Sequence, residues 1–377
     1  MAMKKIPFAR PCFSDEDIRQ IFLRLEEVLR SGWLTNAKYV AELEKKVSEY
    51  VGARYAVAMN SCTACLHALM WALRIKPGDE VIVPANTFVS TANAPLYVGA
   101  KPVFVDVDLD TYNILPEDVQ EKISSRTKAI IAVHVGGNPA DMSELIEIAE
   151  DHNLIVIEDA AHALGSIYKG KYCGNIGFAG AFSLYPTKVI TGGEGGIIVT
   201  DNRELYDRLK LIRNCGRASI GAVDIVELGH NFRMTECSAV FAIVQFSHIE
   251  EFIKHRNDIA GMYTKELRKF KWIKIQKIRP GNRSAYYAYI ILLDRNAPIG
   301  RDELRLKLRE RGIDTSIIYK PVHLQPLYRR LFKYNRGMLP NAEFIGANNI
   351  ALPMYNGLSF DEVHYIIQVL RDIFEGL

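Results

Sequence analysis

Lys188 is the residue whose surroundings in the sequence point most directly to chemistry. It lies in the stretch AFSLYPTKVITGGEGGIIVT, residues 181–200, between two short apolar runs and beside a cluster of glycines. This pattern predicts two strand ends joined by a turn-rich loop that carries the lysine into a cleft. A lysine amine held there can form a Schiff base with a carbonyl compound. Taken alone, such a stretch is more often a surface loop beside a glycine hairpin.

A second stretch supplies an acid. Residues 154–166, LIVIEDAAHALGS, begin with an apolar run typical of a buried parallel strand, and Asp159 follows at its carboxyl end. A carboxylate at that edge can hydrogen-bond to a protonated pyridine nitrogen and keep the ring electron-withdrawing. A lysine for a Schiff base and an acid for a pyridinium are what pyridoxal phosphate (PLP) chemistry needs, so Lys188 and Asp159 together predict a PLP site.

Several blocks of this sequence resemble the DegT/StrS-type sugar aminotransferases of PLP fold type I. EDAAHALGS, then FSLYPTK followed by GGEGG, carry the resemblance first. Further blocks extend it in the family's order over nearly the whole chain: GWLT (32–35), PGDEVIVPANTF (77–88), PVFVDVD (102–108), PADM (139–142), HNFRMTE (230–236) and ALPMYNGLS (351–359). A single block could arise by chance, but the ordered set is highly specific.

The arrangement of apolar runs predicts an α/β fold. Short β-branched runs alternate with helical patterns in the first two thirds of the chain, which indicates right-handed βαβ units and a mainly parallel sheet. Before them, Ser14 and Asp17 form the pattern of a capping box, and a first amphipathic helix is expected to run to Gly32. Strands are predicted at 55–59, 81–83, 103–105, 129–133 and 154–157, and helices at 64–73, 92–98, 117–123, 141–150 and 204–212.

The pattern changes near residue 246. A long helical pattern runs from Cys237 toward Phe270, and the remaining chain predicts a small α+β domain. Its strands are expected at 272–275, 286–293 and 314–317, with helices at 301–311 and 360–374. The resemblance therefore implies PLP fold type I, with a large PLP-binding α/β domain at residues 1–245 and a smaller C-terminal α+β domain at residues 246–377.

The turn Ser61-Cys62-Thr63 is expected to bind the cofactor phosphate. It precedes the helix predicted at 64–73, and free amides at a helix N-terminus favour an anion. Cys62 stands where the resembling family usually has glycine, and with Cys65 it forms a CxxC. A redox pair and half of a metal site are therefore alternatives, but no second CxxC or spaced histidine pair accompanies it, and we expect no metal.

The resemblance implies roles for further residues. Phe88 would stack on the cofactor ring, His162 would lie against the ring and its phenolic oxygen, and Ser183 would bind the phosphate. Asn231 would cross a dimer interface to the phosphate of the other subunit. The substrate candidates are Thr35, Tyr319 and His323. Without the resemblance, such residues are commonly core side chains or turn formers.

The predicted activity is transfer of an amino group from an amino acid, such as glutamate, to a nucleotide-diphosphate-linked keto sugar. Lys188 would bind PLP and then move the proton as acid and base, in a homodimer with shared active sites. One alternative is a PLP-dependent sugar dehydratase, whose members have histidine in place of the Schiff-base lysine. Another is a non-enzymatic nucleotide-binding or regulatory protein whose GGEGG loop grips phosphate.

Composition narrows the classes of partner. The 377 residues include 47 basic and 44 acidic side chains, a net charge of +3, without a run of like charges that would favour nucleic acid. The first residues lack the apolar segment of a secretory signal, and no 18-residue apolar stretch predicts a membrane helix. Six scattered cysteines are expected to be reduced thiols. We therefore expect a cytoplasmic protein that binds neither nucleic acid nor membrane.

Overall fold

The computed structural model describes residues 5–219 and 221–376, and this part of the chain contains twelve strands and thirteen α-helices. The strands are β1 (Tyr55–Met59), β2 (Glu80–Pro84), β3 (Lys101–Val105), β4 (Thr127–Val133), β5 (Ile155–Asp159), β6 (Ile167–Tyr168), β7 (Lys171–Tyr172), β8 (Ala179–Ser183), β9 (Gly196–Thr200), β10 (Ile273–Ile275), β11 (Tyr289–Leu293) and β12 (Asn349–Leu352). The helices are α1 (Asp15–Ser31), α2 (Lys38–Val51), α3 (Cys62–Ala72), α4 (Val89–Tyr97), α5 (Pro116–Lys122), α6 (Met142–Asp151), α7 (Arg203–Arg213), α8 (Glu236–Phe246), α9 (Ile249–Leu267), α10 (Arg301–Glu310), α11 (Pro326–Phe332), α12 (Pro340–Asn348) and α13 (Phe360–Glu375).

A seven-stranded sheet forms the centre of the molecule, in the order β1–β9–β8–β5–β4–β2–β3. The strands from β3 to β8 pair in parallel, and β9 runs antiparallel to both of its neighbours, β8 and β1. The connections from β2 to β3, from β3 to β4 and from β4 to β5 pass through the helices α4, α5 and α6, whereas β5 connects to β8 through the hairpin β6–β7. The predicted α/β fold with a mainly parallel sheet is confirmed.

Helices cover both faces of this sheet, which explains the nearly continuous apolar strands. In β4, Ile130 packs into the cluster that contains α1, α2, α6 and α8. The next residue, Ile131, points to the other face, into the cluster that contains α3, α4 and α7. Alternation along one strand therefore joins two hydrophobic cores across a single sheet.

Local signals fix the ends of the first helix. Ser14 Oγ accepts the amide hydrogen of Asp17 at 3.1 Å, and the Asp17 carboxylate accepts that of Ser14 at 2.8 Å. Gly32 ends the helix with a φ of 71°, a conformation that glycine adopts without strain. The predicted capping box and C-terminal stop are both present.

A second, three-stranded antiparallel sheet follows, in the order β10–β11–β12. Ile290 on its inner face joins the core that contains α3 and α4, whereas Ile291 on its outer face packs with α9, α10 and α13. The predicted long helix is interrupted at Ser247 and His248, so that α8 packs on α1 and α2 while α9 follows the second sheet. The division into domains 1–245 and 246–377 stays a prediction.

The strand predicted at 314–317 is wrong, and the third strand of this sheet is β12. The backbone hydrogen bonds of the predicted segment go to two separate parts of the chain. Asp314 N donates to Ile6 O at 2.9 Å, while Ser316 and Ala351 exchange two bonds at 2.9 and 3.1 Å. The segment therefore crosses the edge of the sheet at one point and forms no ladder.

Helix α12 ties the second half of the chain to the central sheet. The carboxylate of Asp106, just after β3, accepts the amide hydrogens of Asn341 and Ala342 at 3.0 and 2.7 Å. These are unpaired donors in the first turn of the helix, and a carboxylate there also complements the helix dipole.

Within the described ranges, no helix combines the length and apolar character that a bilayer span requires. The cytoplasmic location stays a prediction.

Candidate active site

A cavity of about 430 Å³ opens at the carboxyl edge of the central sheet. Ligands of open α/β sheets bind at this edge, because the loops that follow parallel strands converge there. The cavity is lined by nine of the residues that the sequence singles out: Ser61, Cys62, Thr63, Phe88, Asp159, His162, Ser183, Lys188 and Tyr319.

Asp159 is the buried acid of this cavity. Its Oδ2 accepts a hydrogen bond from Thr91 Oγ1 at 2.7 Å, and its Oδ1 accepts the amide hydrogen of Ala161 at 3.2 Å. Burial raises the pKa of Asp159, while the two hydrogen bonds and the charge of Lys188 oppose that rise. A cationic ring nitrogen placed against this carboxylate would further stabilise its ionised form.

Lys188 lies in the connection between β8 and β9. Its amide hydrogen bonds to Tyr185 O at 3.0 Å, and its Nζ lies 4.1 Å from the ring centre of Tyr287. The glycines that follow are required by geometry: Gly195 has a φ of 151°, and a Cβ there would lie 2.7 Å from Met234 Cε. The loop therefore holds the lysine with its amine in the cavity.

His162 forms part of the cavity wall. Its ring stacks on Tyr287 with centroids 4.0 Å apart, and its Nδ1 accepts the amide hydrogen of Gly136 at 3.4 Å. That bond assigns the hydrogen to Nε2, which donates to the hydroxyl of Tyr319 at 2.9 Å. Burial lowers the pKa of His162 well below its ordinary value, so the imidazole is neutral.

The start of α3 provides an anion site. Ser61 caps the helix by accepting the Ala64 amide hydrogen at 3.0 Å, and no described residue accepts from the amides of Cys62 and Thr63. Thr63 Oγ1 lies 2.7 Å from Ser90 Oγ, which holds its hydroxyl at the cavity. Two free amides and hydroxyls at a helix N-terminus are suited to a phosphate.

The cysteine at position 62 leaves this anion site open. Its Sγ contacts Ala181 O at 3.8 Å, so the thiol points at β8. Burial raises the pKa of Cys62 and of the fully buried Cys65, and the pair therefore lacks the accessible thiolate that redox chemistry needs. The close packing is made possible by Gly196, where a Cβ would lie 2.5 Å from Cys62 N.

The donor set of the cavity fits PLP. Asp159 suits the ring nitrogen, the Lys188 amine suits the aldehyde, and the amides of the 61–63 turn suit the phosphate. Phe88, which is 53% exposed and borders the cavity, provides a free aromatic face.

Residues 15–371 match the sequence model of the DegT/DnrJ/EryC1/StrS aminotransferase family. The chain belongs to this family. Among curated proteins it is similar to GDP-perosamine synthase of Escherichia coli O157:H7, with 35% identity over 99% of both chains.

Solved structures of aminotransferases share the fold. PseC of Helicobacter pylori, an aminotransferase involved in the biosynthesis of pseudoaminic acid, has 28% identity and a TM-score of 0.92 over 99% of this chain and 100% of its own. The putative sugar aminotransferase Spr1654 of Streptococcus pneumoniae in its PLP form has 29% identity and a TM-score of 0.93 over 99% of both chains. The predictions of the family, of PLP as cofactor and of sugar aminotransferase activity are confirmed.

Three of the residues predicted for the active site do not line the cavity. His323 is fully buried, and its Nε2 is 3.2 Å from Glu343 Oε1, so its assignment as a substrate contact is corrected. Thr35 donates its hydroxyl hydrogen to Met234 O at 2.8 Å. The side chain of Asn231 is exposed, while its carbonyl accepts from Asn60 at 3.3 Å.

The cavity also contains residues that the sequence did not single out. Thr91, in the first turn of α4, donates a hydrogen bond to Asp159, and the ring of Tyr287 contacts both Lys188 and His162. Glu194, in the middle of GGEGG, is exposed at the cavity with no hydrogen-bond partner among the described residues. The position of Glu194 between glycines in the sequence could have indicated that it lies at the cavity. Nothing in the sequence around Tyr287 indicates that its ring contacts Lys188 and His162.

A buried cluster beside the cavity has side chains that can bind metals: His134, Glu158 and Cys173. The Ala140 amide donates to His134 Nδ1 at 3.0 Å, so the hydrogen on Nε2 is directed at Glu158, 2.9 Å away. Glu158 also accepts three amide hydrogens of the segment 174–177, at 2.6 to 2.7 Å. The atoms of His134 and Glu158 that could bind a metal are therefore engaged in hydrogen bonds within the protein. These bonds fix Glu158, the residue that precedes Asp159.

The hydrogen bond from Thr91 predicts a pH effect. Replacing Thr91 with valine removes a donor that stabilises the ionised carboxylate of Asp159, so the pKa of Asp159 rises further. Because the ionised form is needed, activity should be lost at a higher pH on acidification. The acid limb of the kcat profile should therefore move to higher pH in Thr91→Val.

Ser90→Ala is the matched control, since Ser90 lies on the same helix and lines the cavity but bonds to Thr63. Its acid limb should coincide with that of the wild type. An unchanged acid limb in Thr91→Val would show that this bond does not set the ionisation of Asp159.

Proposed function

We propose that the protein transfers the amino group of an amino acid, such as glutamate, to the keto group of a sugar linked to a nucleoside diphosphate. The observation that carries the proposal is that Lys188, Asp159 and the free amides of the 61–63 turn face one cavity. The name of the similar GDP-perosamine synthase supports a nucleotide-linked acceptor. A sugar dehydratase is disfavoured because lysine, and not histidine, occupies position 188.

Different residues of the cavity would bind different parts of PLP. Lys188 would bind it covalently, Asp159 would pair with its ring nitrogen, and Phe88 and His162 would contact its ring. The turn Ser61-Cys62-Thr63 and Ser183 would bind its phosphate, to which Asn231 of a second copy of the chain would add a contact. When bound, PLP acts as an electron sink for the charge that develops at the reacting carbon.

Lys188 also has a catalytic task. With its amine free, Nζ of Lys188 would serve as the acid and base that moves the proton at the reacting carbon of the substrate. The neutral His162 and the ring of Tyr287 form the wall beside this amine. They position it and exclude water from that side of the cavity.

The lining of the cavity favours a polyhydroxylated acceptor over a keto acid. Among the described lining residues there is no arginine, the side chain that matches a carboxylate in bidentate geometry. Glu194, Tyr185 and Thr187 instead present a carboxylate and hydroxyls at the cavity. Such groups suit sugar hydroxyls. Tyr319 would contact the sugar as well, and the exposed Lys320 next to it suits a diphosphate.

The first test concerns Lys188. The wild-type protein should take up PLP in a covalent bond that borohydride makes permanent, and mass spectrometry should locate the cofactor on Lys188. Lys188→Ala should lose this bond and at least roughly 10²–10⁴-fold in kcat, the usual contribution of acid–base catalysis. Incubation of the wild type with glutamate and a panel of nucleotide-linked keto sugars should give an amino sugar. Wild-type protein that gains no covalent PLP would contradict the proposal at its root.

The second test concerns the acceptor. A nucleotide-linked keto sugar should have a far higher kcat/KM than the same sugar without the nucleotide, because remote binding energy orients the reacting carbon. Glu194→Gln should raise KM for the acceptor about tenfold, the effect of one lost charge-assisted hydrogen bond. The half-reaction with glutamate provides the internal control and should be unchanged. Equal kcat/KM for linked and free sugars, or faster turnover of 2-keto acids, would rule out this acceptor.

A homodimer with shared sites explains residues that the single chain leaves exposed. Phe22, Leu29 and Trp33 in and after α1 are between 57% and 69% exposed, and Val223 in the segment before Asn231 is 89% exposed. Large apolar side chains in such numbers favour an interface. The side chain of Asn231 is itself exposed, and the contact with Asn60 is made by its backbone carbonyl.

Mixed dimers test the shared site. Lys188→Ala and Asn231→Ala subunits, each impaired alone, should regain up to about a quarter of wild-type activity when co-expressed, because each mixed dimer contains one intact site. The control is the average activity of the two variants measured separately. Activity no higher than that average, or an active monomer in size-exclusion chromatography, would rule out the shared site.

A further inference from the structure

Arg256 is a buried cation that has no part in the amino-transfer reaction as derived from Lys188 and Asp159. It lies on α9, is 1% exposed, and forms no ion pair with a carboxylate of the described residues. Burial lowers its pKa to about 10, which leaves the guanidinium charged at neutral pH. Burying a charge without a counter-charge is unfavourable unless many hydrogen bonds compensate for the lost water.

The hydrogen bonds of Arg256 go to two segments that come together near the cavity. Its Nη1 donates to Tyr286 O at 2.9 Å and, at 3.4 Å, to the carbonyls of Tyr287 and Met354. Its Nε donates to Asn356 Oδ1 at 2.7 Å. A planar guanidinium can satisfy these divergent acceptors at once, whereas a lysine ammonium lacks the rigid fork.

One of these segments leads to the amine of Lys188 through Tyr287. Arg256 binds the carbonyls of the two peptide groups that flank the Cα of Tyr287. The preceding Tyr286 has a φ of 46°, which only a few non-glycine residues adopt. The ring of Tyr287 in turn lies 4.1 Å from Lys188 Nζ and 4.0 Å from the ring of His162. Arg256 therefore holds the backbone of the residue that borders the reactive amine.

The other segment leads to the backbone of the lysine loop. Asn356, whose Oδ1 accepts from Arg256, donates through Nδ2 to Val189 O at 2.9 Å. Val189 directly follows Lys188. One buried side chain is thus connected both to the ring beside the amine and to the main chain that carries the amine.

We propose that Arg256 is a positioning residue for the amino-transfer reaction, which sets the placement of Lys188 Nζ against Tyr287 and His162. This inference rests on the proposed function, since it assigns the lysine amine the proton transfer. Misplacing a catalytic group by about 1 Å can lower the rate about 100-fold, so a side chain that fixes both neighbours of the amine affects turnover without touching substrate.

Arg256→Met and Arg256→Lys test the proposal in the PLP-loaded protein. Both variants should bind PLP but show kcat lowered roughly 10- to 100-fold, with KM for both substrates changed less than about threefold. The pH midpoint of the absorption change of Lys188-bound PLP should also shift, because the surroundings of Nζ have moved. Arg256→Lys keeps the positive charge but lacks the planar guanidinium. If its kcat is as low as that of Arg256→Met, the effect comes from the geometry of the guanidinium and not from its charge.

Tyr263→Phe is the matched control on the same helix. Tyr263 is fully buried and its hydroxyl donates to Pro353 O at 3.1 Å, close in sequence to Met354, but none of its hydrogen bonds reaches Lys188 or Tyr287. The variant should lose thermal stability and keep the wild-type kcat and absorption midpoint. If Tyr263→Phe lowers kcat as much as Arg256→Met, loss of stability alone explains the effect and the proposal fails.

Asn356→Ala tests the second route if the Arg256 variants do not fold. It keeps Arg256 and removes the bond to Val189, and it should lower kcat several-fold with the same kind of shift in the absorption midpoint. Wild-type kcat and midpoint in a folded, PLP-loaded Asn356→Ala or Arg256→Met would overturn the inference. The absorption midpoint needs no sugar substrate, so this result stays distinct from a failure of the proposed acceptor.

Discussion

The ionised carboxylate of Asp159 at the end of a buried strand is the constraint on which the site depends. A charge in that place is stable only with hydrogen bonds around it, and Thr91 and the Ala161 amide supply them. Glu158, one residue earlier, is fixed by His134 and the segment 174–177. The parallel pairing of β5 with β8 then brings the lysine loop to the same edge of the sheet.

Elements with strong local signals could be predicted from the sequence. The strand Tyr55–Met59 and the capping box at Ser14 both depend on residues close together in the chain. Asp159 at the end of β5, the phosphate turn after β1 and Lys188 in the loop after β8 also follow from short stretches of sequence. The resemblance to a family then predicted that these separate stretches form one site.

The failures have a common cause in contacts between distant parts of the chain. Residues 314–317 have a strand-like composition, yet their partners are Ile6 and Ala351 at separate points. His323 was expected at the substrate because of its loop, but Glu343 binds it inside the core. Tyr287 and Arg256 gave no signal, since their importance arises only when α9, the 286–288 segment and the lysine loop are brought together.

The reversal of β9 has a mechanical consequence. Because β8 and β9 are antiparallel neighbours, both ends of the loop that carries Lys188 are fastened to adjacent strands, with Leu184 N donating to Gly195 O at 2.9 Å. Because the amide hydrogens at both ends of that loop are bonded within the paired strands, we expect their exchange with solvent to require opening of the sheet itself. Any rearrangement that admits a bulky substrate must then come from elements across the cavity, such as the segment that bears Tyr319, and the lysine remains the fixed reference point of the reaction.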